Sequence, residues 1–284
     1  MTDKNAAIDF MYYVATPEFM GKWAEAKEGE LMCRMEKALG GSLPQFPSIP
    51  KMIETMDEAN VEKVFITQTK MWSTRNHWMY MDTQLSDVTQ YLDHAPDRFI
   101  GLGGYNPYRI SESLAEIEVG VKEHGFKGVY VHIYGFDIPF HHARMYPLYA
   151  KCVELDIPVS LQVGHVLEGM PSEHGRPMDL DRVACDFPTL KIVGAHTGWP
   201  WVDELISLCY KWDNIYFGID AWMPKYLNDD IVHFMDSRMG RDRVLWGTNG
   251  LDWKKSLDQL GDMGLKEETI TKITRTNVQE LFKL

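Results

Sequence analysis

The sequence has little cysteine and no long apolar run, and these absences exclude several classes of protein. Its four cysteines are scattered without a CxxC pair, so we expect reduced thiols and no disulfide framework; they are Cys33, Cys152, Cys185 and Cys209. No stretch approaches the ~18 consecutive apolar residues of a membrane span. The first ten residues, MTDKNAAIDF, lack the apolar region of a signal peptide. The sequence therefore predicts a cytoplasmic protein.

An excess of positive charge is also missing. The 29 Lys and Arg residues stand against 41 Asp and Glu, which gives a formal net charge of −12. Such a chain repels nucleic acid and anionic membrane surfaces, so a small molecule is the expected partner. No internal repeat is visible, and no GxGxxG follows the first predicted strand, which argues against a dinucleotide-binding fold.

What the sequence does contain is an alternation of short β-branched or aromatic runs with longer amphipathic stretches. Eight runs are predicted strands: Ala7–Tyr12, Lys63–Thr67, Phe99–Gly103, Gly128–Ile133, Pro158–Val163, Lys191–Ala195, Ile215–Ile219 and Val244–Gly247. Strands that alternate with helices form parallel sheets, and eight of them favour closure. We therefore predict an α/β fold, a (β/α)8 TIM barrel in one domain over residues 1–284, with an open doubly wound sheet as the alternative.

The predicted helices fall between these strands, at Ile49–Ala59, Ser111–His124, Tyr146–Leu155, Trp201–Lys211, Lys225–Met235 and Lys254–Met263, and the tail Lys266–Leu284 is predicted to form two short helices under the barrel. The Met-rich segment Met71–Met81 is interpreted as helix or loop packing. The long connection at about 14–48 is predicted to be a lid-like insertion. A second insertion, Val166–Pro177, follows the fifth strand.

Polar side chains follow most of the predicted strands, where a barrel carries its active site. Three of the ten histidines, His132, His165 and His196, lie at such ends. The other candidates there are Tyr13, Lys70, Gln162, Asp220, Asn249 and Asp252. Six tryptophans (72, 78, 199, 201, 222 and 253) are also near strand ends. Packing is their ordinary role, but several at one opening suggest an aromatic or planar substrate, with Trp199 as a candidate contact.

At these residues the chain resembles the amidohydrolase-related family of metal-dependent barrels, which includes aminocarboxymuconate-semialdehyde decarboxylase. The resemblance is carried by IDFMYY, DRFIGLGGYNP, GFKGVYVHIY, LDIPVSLQVGH, DFPTLKIVGAHTGWPWVDELI, NIYFGIDAW and DRVLWGTNGLDW. It implies a TIM barrel that hydrolyses or decarboxylates a small substrate, often as a dimer, with a divalent metal that is usually zinc. A homodimer is accordingly an expectation from the resemblance alone.

The metal ligands that the resemblance implies are largely replaced. Met11 and Tyr13 stand where the family has a His-x-His pair, and Gln162 stands where it has a further His. His196 is kept, but Asn249 replaces an aspartate that serves as ligand and base. Thioether and amide groups are poor zinc ligands. Zinc at the usual position is therefore doubtful, although His165 and His196 together with His132 would suffice if they converged.

The leading prediction is an amidohydrolase-like hydrolase whose metal is lost or weakly held, acting on a carboxylated, aromatic or cyclic substrate. His196 is the predicted acid and base, with Asp220 or Asp252 to orient it. Tyr13, Gln162 and Asn249 are predicted to stabilise an oxyanion. His165 completes the catalytic candidates. The candidates for substrate binding are His132, Gln162, Arg176, Trp199, Asp252 and Lys70. A decarboxylase and a non-catalytic small-molecule-binding pseudoenzyme are the alternatives.

Overall fold

The computed structural model describes residues 6–25 and 46–284, and its centre is a barrel of parallel strands. In chain order the strands are β1 (Ala7–Tyr13), β2 (Val61–Thr67), β3 (Lys70–Trp72), β4 (Met79–Asp82), β5 (Phe99–Gly104), β6 (Gly128–Val131), β7 (Val159–Gln162), β8 (Ile192–Ala195), β9 (Ile215–Gly218) and β10 (Val244–Leu245). β3 and β4 form a separate antiparallel hairpin. The other eight run around the barrel in the order of the chain. The predicted TIM barrel is thus confirmed, and the open sheet is excluded.

The seam of the barrel lies between β10 and β1, where no regular ladder forms. The Phe10 N–H donates to the Trp246 carbonyl at 3.4 Å, and the Asn249 N–H donates to the Met11 carbonyl at 2.8 Å. These two bonds bring the segment after β10 against β1, so the barrel is nearly closed. They also fix the backbone of Asn249, one of the candidate site residues.

Helices surround the barrel. They are α1 (Pro17–Glu25), α2 (Ile49–Glu58), α3 (Leu85–His94), α4 (Ile110–His124), α5 (Tyr146–Glu154), α6 (Leu180–Asp186), α7 (Val202–Lys211), α8 (Asp229–Asp236), α9 (Trp253–Gly261), α10 (Glu267–Thr271) and α11 (Asn277–Phe282), with a π-helical turn at Lys272–Thr276. Short 3-10 turns lie at Tyr134–Phe136, Glu173–Gly175, Pro177–Asp179, Pro224–Tyr226 and Gly240–Asp242. In the described part of the chain, no helix is long and apolar enough to cross a membrane.

Three predictions about elements need correction. The Met-rich segment contains the hairpin β3–β4, whose strands pair Lys70 with Asp82 and Met71 with Met81. α1, α3 and α6 were not predicted as helices; α6 has only seven residues, whereas α3 has ten, as many as the predicted α2 and α7. α8 begins at Asp229 rather than Lys225, because the chain first makes a 3-10 turn and the Asn228 side chain then accepts the Ile231 N–H.

The barrel interior is apolar toward the N-terminal ends of the strands. Residues from the strands pack there against the last helix, and the ring centroids of Phe65 and Phe282 are 4.7 Å apart. The members of this cluster are Ile8, Phe10, Met11, Phe65, Ile100, Leu102, Tyr130, Val193, Leu245, Val278, Leu281 and Phe282. The tail therefore packs under the barrel, as predicted, and the polar strand ends lie at the other opening.

The predicted lid at about 14–48 is described only at its two ends. It begins with α1, and its last residues lead into α2. Residues 26–45 lie outside the described residues. The prediction of a lid therefore stays a prediction.

Candidate active site

His196 and Asp220 make a close contact at the C-terminal ends of the strands. The Nδ1 atom of His196 lies 2.5 Å from Oδ2 of Asp220, and both side chains are buried. These two atoms are not oriented for a hydrogen bond. The backbone N–H of His196 does donate to Oδ1 of Asp220 at 2.9 Å. One carboxylate thus fixes the main chain of the histidine and lies against its ring, which leaves Nε2 for other chemistry.

Asn249 meets the other nitrogen of that ring. Its side-chain Nδ2 lies 3.1 Å from Nε2 of His196. An amide nitrogen can only donate, so Nε2 is the acceptor of this bond and the proton of the neutral ring is on Nδ1. Three predicted residues, His196, Asp220 and Asn249, are therefore brought together in one row of contacts.

The loop after β8 holds His196 in a strained backbone. His196, Thr197 and Gly198 have φ of 70°, 63° and 76°, three successive residues in the left-handed region. Such conformations cost about 1–3 kcal/mol for residues other than glycine and persist only where the surroundings fix them. The N–H groups of His196 and Thr197 are fixed by Asp220 and by the Gly218 carbonyl. These contacts stabilise the strained loop, and the strained loop sets the position of the His196 ring.

Gln162 and Tyr130 form a second buried contact beside this row. The Tyr130 hydroxyl donates to Oε1 of Gln162 at 2.5 Å. Burial raises the pKa of Tyr130 well above its ordinary value, and the nearby carboxyl groups of Asp220 and Glu168 raise it further. The phenol is therefore a neutral donor. Gln162 lies in the site as predicted, but its amide oxygen already has a partner.

Tyr13 lies at the end of β1, packed on its neighbours. Its ring stacks on Tyr12 with centroids 5.0 Å apart, and a Cβ atom at Gly250 would lie 2.3 Å from the Tyr13 ring. Burial raises the pKa of Tyr13, so its hydroxyl stays protonated. A glycine at 250 is needed both for this contact and for its own φ of 89°.

His132 and Glu168 are buried in the same region. His132 follows β6 and is 1% exposed, and Glu168 lies in the insertion after β7 and is 7% exposed. Nε2 of His132 lies 4.0 Å from Oε1 of Glu168, which is too long for a hydrogen bond. Burial, and next the proximity of His196, lower the pKa of His132 to about 3. Burial raises the pKa of Glu168.

Glu168 and Tyr130 are site residues that the sequence did not reveal. Tyr130 lies within a strand whose residues all read as core. Glu168 lies in a predicted insertion, and nothing in the surrounding letters, HVLEGMP, marks a glutamate that turns inward. The only available signal was the insertion itself, which follows a strand at the active-site end of the barrel.

His165 and Trp199 lie at the rim rather than in the buried cluster. His165 is exposed, and its ring packs edge-on against Trp199 with centroids 5.6 Å apart. Trp199 is 46% exposed and is 5.7 Å from Trp222 between ring centroids. The His165 N–H donates to the Trp199 carbonyl at 2.6 Å. The predicted aromatic contact is thus available at the opening, while the imidazole of His165 is not brought to His196.

Three other candidates have partners elsewhere. Arg176 is exposed and its guanidinium is paired with Glu204 of α7, with Nη2 2.7 Å from Oε1. Lys70 is buried and paired with Asp82 at 2.7 Å. Asp252 caps α9, since its side chain accepts the Lys255 N–H at 2.8 Å. Neither Arg176 nor Lys70 therefore offers a free positive charge to a substrate carboxylate, and the carboxylate of Asp252 is engaged at the start of α9 and not at His196.

The strand-1 residues do not fit the metal site that the resemblance implies. Met11 is buried in the apolar interior, and a thioether is a poor ligand for a hard dication. The protonated phenol of Tyr13 is also a poor ligand for such a cation. Asp9, two residues before Met11, is fully buried and accepts four hydrogen bonds, from the N–H groups of Met11 and Thr248, the Thr248 hydroxyl and the Trp253 indole.

The described residues contain one group of three metal-ligating side chains, and it lies elsewhere. Asp137, Glu173 and His174 place one ligand atom each within 4.8 Å of one another, at largely exposed positions. His174 Nε2 lies 3.1 Å from Oδ1 of Asp137. An exposed group of this kind is explained by ordinary ion pairing. The shifted site considered above, with His132, His165 and His196, is not assembled in the described part of the chain.

Comparison with protein families gives one match. A family model described as amidohydrolase matches residues 66–284, which is more than half of the chain. Comparison with curated protein sequences gives no match.

Several solved structures share the fold. An uncharacterised TIM-barrel protein from Bordetella bronchiseptica is 22% identical, with a TM-score of 0.75 and 98% of each chain covered. A 2,6-dihydroxybenzoate decarboxylase in complex with 2,6-dihydroxybenzoate is 16% identical, with a TM-score of 0.72, covering 99% of this chain and 100% of that one. A dihydroxybenzoic acid decarboxylase from Polaromonas sp. JS666, with bound manganese and the inhibitor 2-nitroresorcinol, is 20% identical, with a TM-score of 0.68, covering 99% and 97%. At these identities the likeness shows the fold.

Proposed function

Because the chain belongs to the amidohydrolase family, we propose that it is an enzyme that decarboxylates a small aromatic or cyclic carboxylic acid, with His196 as the residue that transfers the proton. Two of the similar structures described above are decarboxylases of aromatic carboxylates. This supports decarboxylation over hydrolysis, the leading prediction from the sequence. One fold can host several reactions, so the choice of reaction depends on the residues of the site.

The observation that carries the proposal is the row Asp220–His196–Asn249. Oδ2 of Asp220 lies 2.5 Å from Nδ1, and Nε2 accepts from the amide of Asn249 at the C-terminal end of the barrel. A histidine is the ordinary group for proton transfer near neutral pH, and the backbone N–H of this one is bonded to the same carboxylate that lies against its ring. The exposed Trp199 at the rim offers a planar surface for a ring.

In the proposed reaction the bond between the ring carbon and the carboxylate breaks and carbon dioxide leaves. The electron pair stays on the ring carbon, which takes the proton from Nε2 of protonated His196, and His196 then regains a proton from solvent. In this proposal, Asn249 and the Tyr13 hydroxyl donate hydrogen bonds to charge that develops on the substrate. Asp220 stabilises the protonated imidazole.

A divalent metal is a candidate cofactor, because manganese is bound in a similar decarboxylase structure. When bound, such an ion supplies charge stabilisation to a carboxylate or an enolate oxygen. Met11, Tyr13 and Gln162 do not make a donor set for it at the position the family uses. No step of the proposed reaction is therefore assigned to a metal. We also propose that the protein is cytoplasmic and forms a homodimer.

The test is release of carbon dioxide from a panel of hydroxylated and unsubstituted aromatic carboxylates, run beside hydrolysis of aryl esters and lactones. His196→Ala is expected to lower kcat at least about 10²-fold, as loss of a general acid does. His94→Ala, an exposed histidine on α3, is the matched control and should retain full activity. Decarboxylation that survives His196→Ala would contradict the assignment. Hydrolysis without decarboxylation would favour the hydrolase, and binding without turnover would favour the pseudoenzyme.

A further inference from the structure

The proposed reaction uses neither His132 nor Glu168, although both are buried at the active-site end of the barrel. Neither ring nitrogen of His132 has a hydrogen-bond partner. A neutral imidazole carries one donor and one acceptor, and leaving both without partners in the interior is costly. A buried side chain in this state marks a place where a ligand or a water completes the bonding.

The partner group must fit between His132 and Glu168. Nε2 of His132 and Oε1 of Glu168 are 4.0 Å apart. An oxygen about 2.8 Å from each atom would subtend an angle of about 90°, which suits an oxygen that donates one hydrogen bond and accepts another. One hydroxyl oxygen would therefore lie within hydrogen-bond distance of both atoms. An apolar group there would leave the imidazole of His132 without a partner.

A hydroxyl group suits both sides of this gap. His132 is neutral near pH 7 because its pKa is lowered to about 3, mainly by burial. Burial also raises the pKa of Glu168. A hydroxyl group can donate one hydrogen bond and accept another, so it can bond to both side chains whichever of the two donates. No net charge is needed on the group that binds.

A metal ion fits the same gap less well. Two donors do not hold a dication, and in the described part of the chain neither His132 nor Glu168 belongs to a group of three ligating side chains within 4.8 Å. Tyr134 closes one side of His132, with ring centroids 5.1 Å apart in an edge-on contact. A neutral polar oxygen is the remaining occupant, supplied by a substrate or by water.

We propose that His132 and Glu168 form a subsite that binds a hydroxyl group of the substrate, which hydrogen-bonds to the imidazole of one and the carboxyl group of the other. The identity of the substrate as a ring carboxylate rests on the proposed function, whereas the subsite rests on the contacts of these two residues. The enzyme then prefers hydroxylated ring carboxylates to their unsubstituted counterparts, and water fills the gap when the ligand has no hydroxyl.

The test compares the binding of benzoate with that of 2-, 3- and 4-hydroxybenzoate, by isothermal titration calorimetry on the full chain. Wild type is expected to bind at least one hydroxybenzoate about tenfold more tightly than benzoate, as two net hydrogen bonds provide. Glu168→Leu and His132→Phe should each reduce that preference to less than about threefold. Glu168→Gln keeps a polar amide and should retain part of the preference for hydroxybenzoate. Glu173→Leu, at an exposed position in the same insertion, is the control and should keep the full preference.

Failure of the subsite and failure of the proposed function give different results. A hydroxyl preference that is lost in Glu168→Leu, in a protein that releases no carbon dioxide, would refute the function and support the subsite. Decarboxylation with the same preference in wild type, Glu168→Leu and His132→Phe would refute the subsite alone. Wild type that binds none of the four probes, or binds benzoate equally well, would also overturn it. Circular dichroism identifies a variant that does not fold, and the other variants then decide.

Discussion

Replacing His132 with phenylalanine is expected to change how the stability of the protein depends on pH. The pKa of His132 falls from an ordinary value of 6.5 to about 3 in the folded protein, chiefly because the ring is buried. As the pH falls below 6.5, His132 binds a proton in the unfolded chain but remains unprotonated in the folded protein. The imidazole therefore favours folding above its unfolded pKa, and this contribution is lost as the pH falls toward 3.

The size of the effect follows from the same shift. Between pH 7 and pH 5, linkage predicts a loss of about 2 kcal/mol from His132 alone, and the complete loss at still lower pH approaches about 5 kcal/mol. Glu168 acts with the opposite sign, because burial raises its pKa, but it is present in both proteins and largely cancels in their difference. The phenylalanine variant, which cannot take up this proton, should gain about 2 kcal/mol relative to wild type over this range.

Urea denaturation at pH 7, 6 and 5, followed by tryptophan fluorescence, measures that difference. His94→Phe is the matched control, since solvent reaches His94 in the folded protein. A difference between wild type and His132→Phe that stays constant with pH would refute the reasoning. It would mean that another group of the protein pairs with His132 in the folded state and that the subsite is already satisfied from within.

Three further predictions concern the site and its supports. Asp220→Asn should lower kcat about 10²-fold with a smaller change in KM, because an amide no longer stabilises the protonated His196; steady-state kinetics with a matched melting temperature would show it. Asp9→Asn should lower the free energy of unfolding by about 1–3 kcal/mol, because one of its two oxygens becomes a donor facing other donors, and an unchanged urea midpoint would contradict this. Dialysis against a chelator should leave kcat/KM unchanged, and a loss restored by manganese would show that a metal binds despite Met11 and Tyr13.

Much of the fold could be predicted because it depends on local pattern. Each of the eight barrel strands was predicted within a few residues, since a buried parallel strand is an apolar run whose ends are marked by turn residues. The hairpin β3–β4 was missed, because its Met and Trp side chains read equally well as helix packing. Its pairing is settled by close contacts with other segments, such as the backbone of Trp72 against Gly135.

The candidate site was predictable only in part. The row of Asp220, His196 and Asn249 follows from the rule that strand ends meet at one opening. The same rule placed His165 and Asp252 among the candidates, and Arg176 was chosen for its charge in the second insertion, but a loop residue several positions beyond a strand can turn outward. His165 packs on Trp199, Arg176 pairs with Glu204, and Asp252 caps a helix.

By itself, the sequence determined the barrel, the order of its strands and the loss of the usual metal ligands, because each is written in residue type and spacing along the chain. The tertiary structure alone decided which polar side chains have partners. In the folded protein Glu168 is buried beside His132. Lys70 and Arg176 form ion pairs with neighbouring carboxylates. Asp9 accepts four hydrogen bonds. Hydrogen bonding and burial depend on distances of a few ångströms between segments far apart in sequence, and no local pattern encodes those distances.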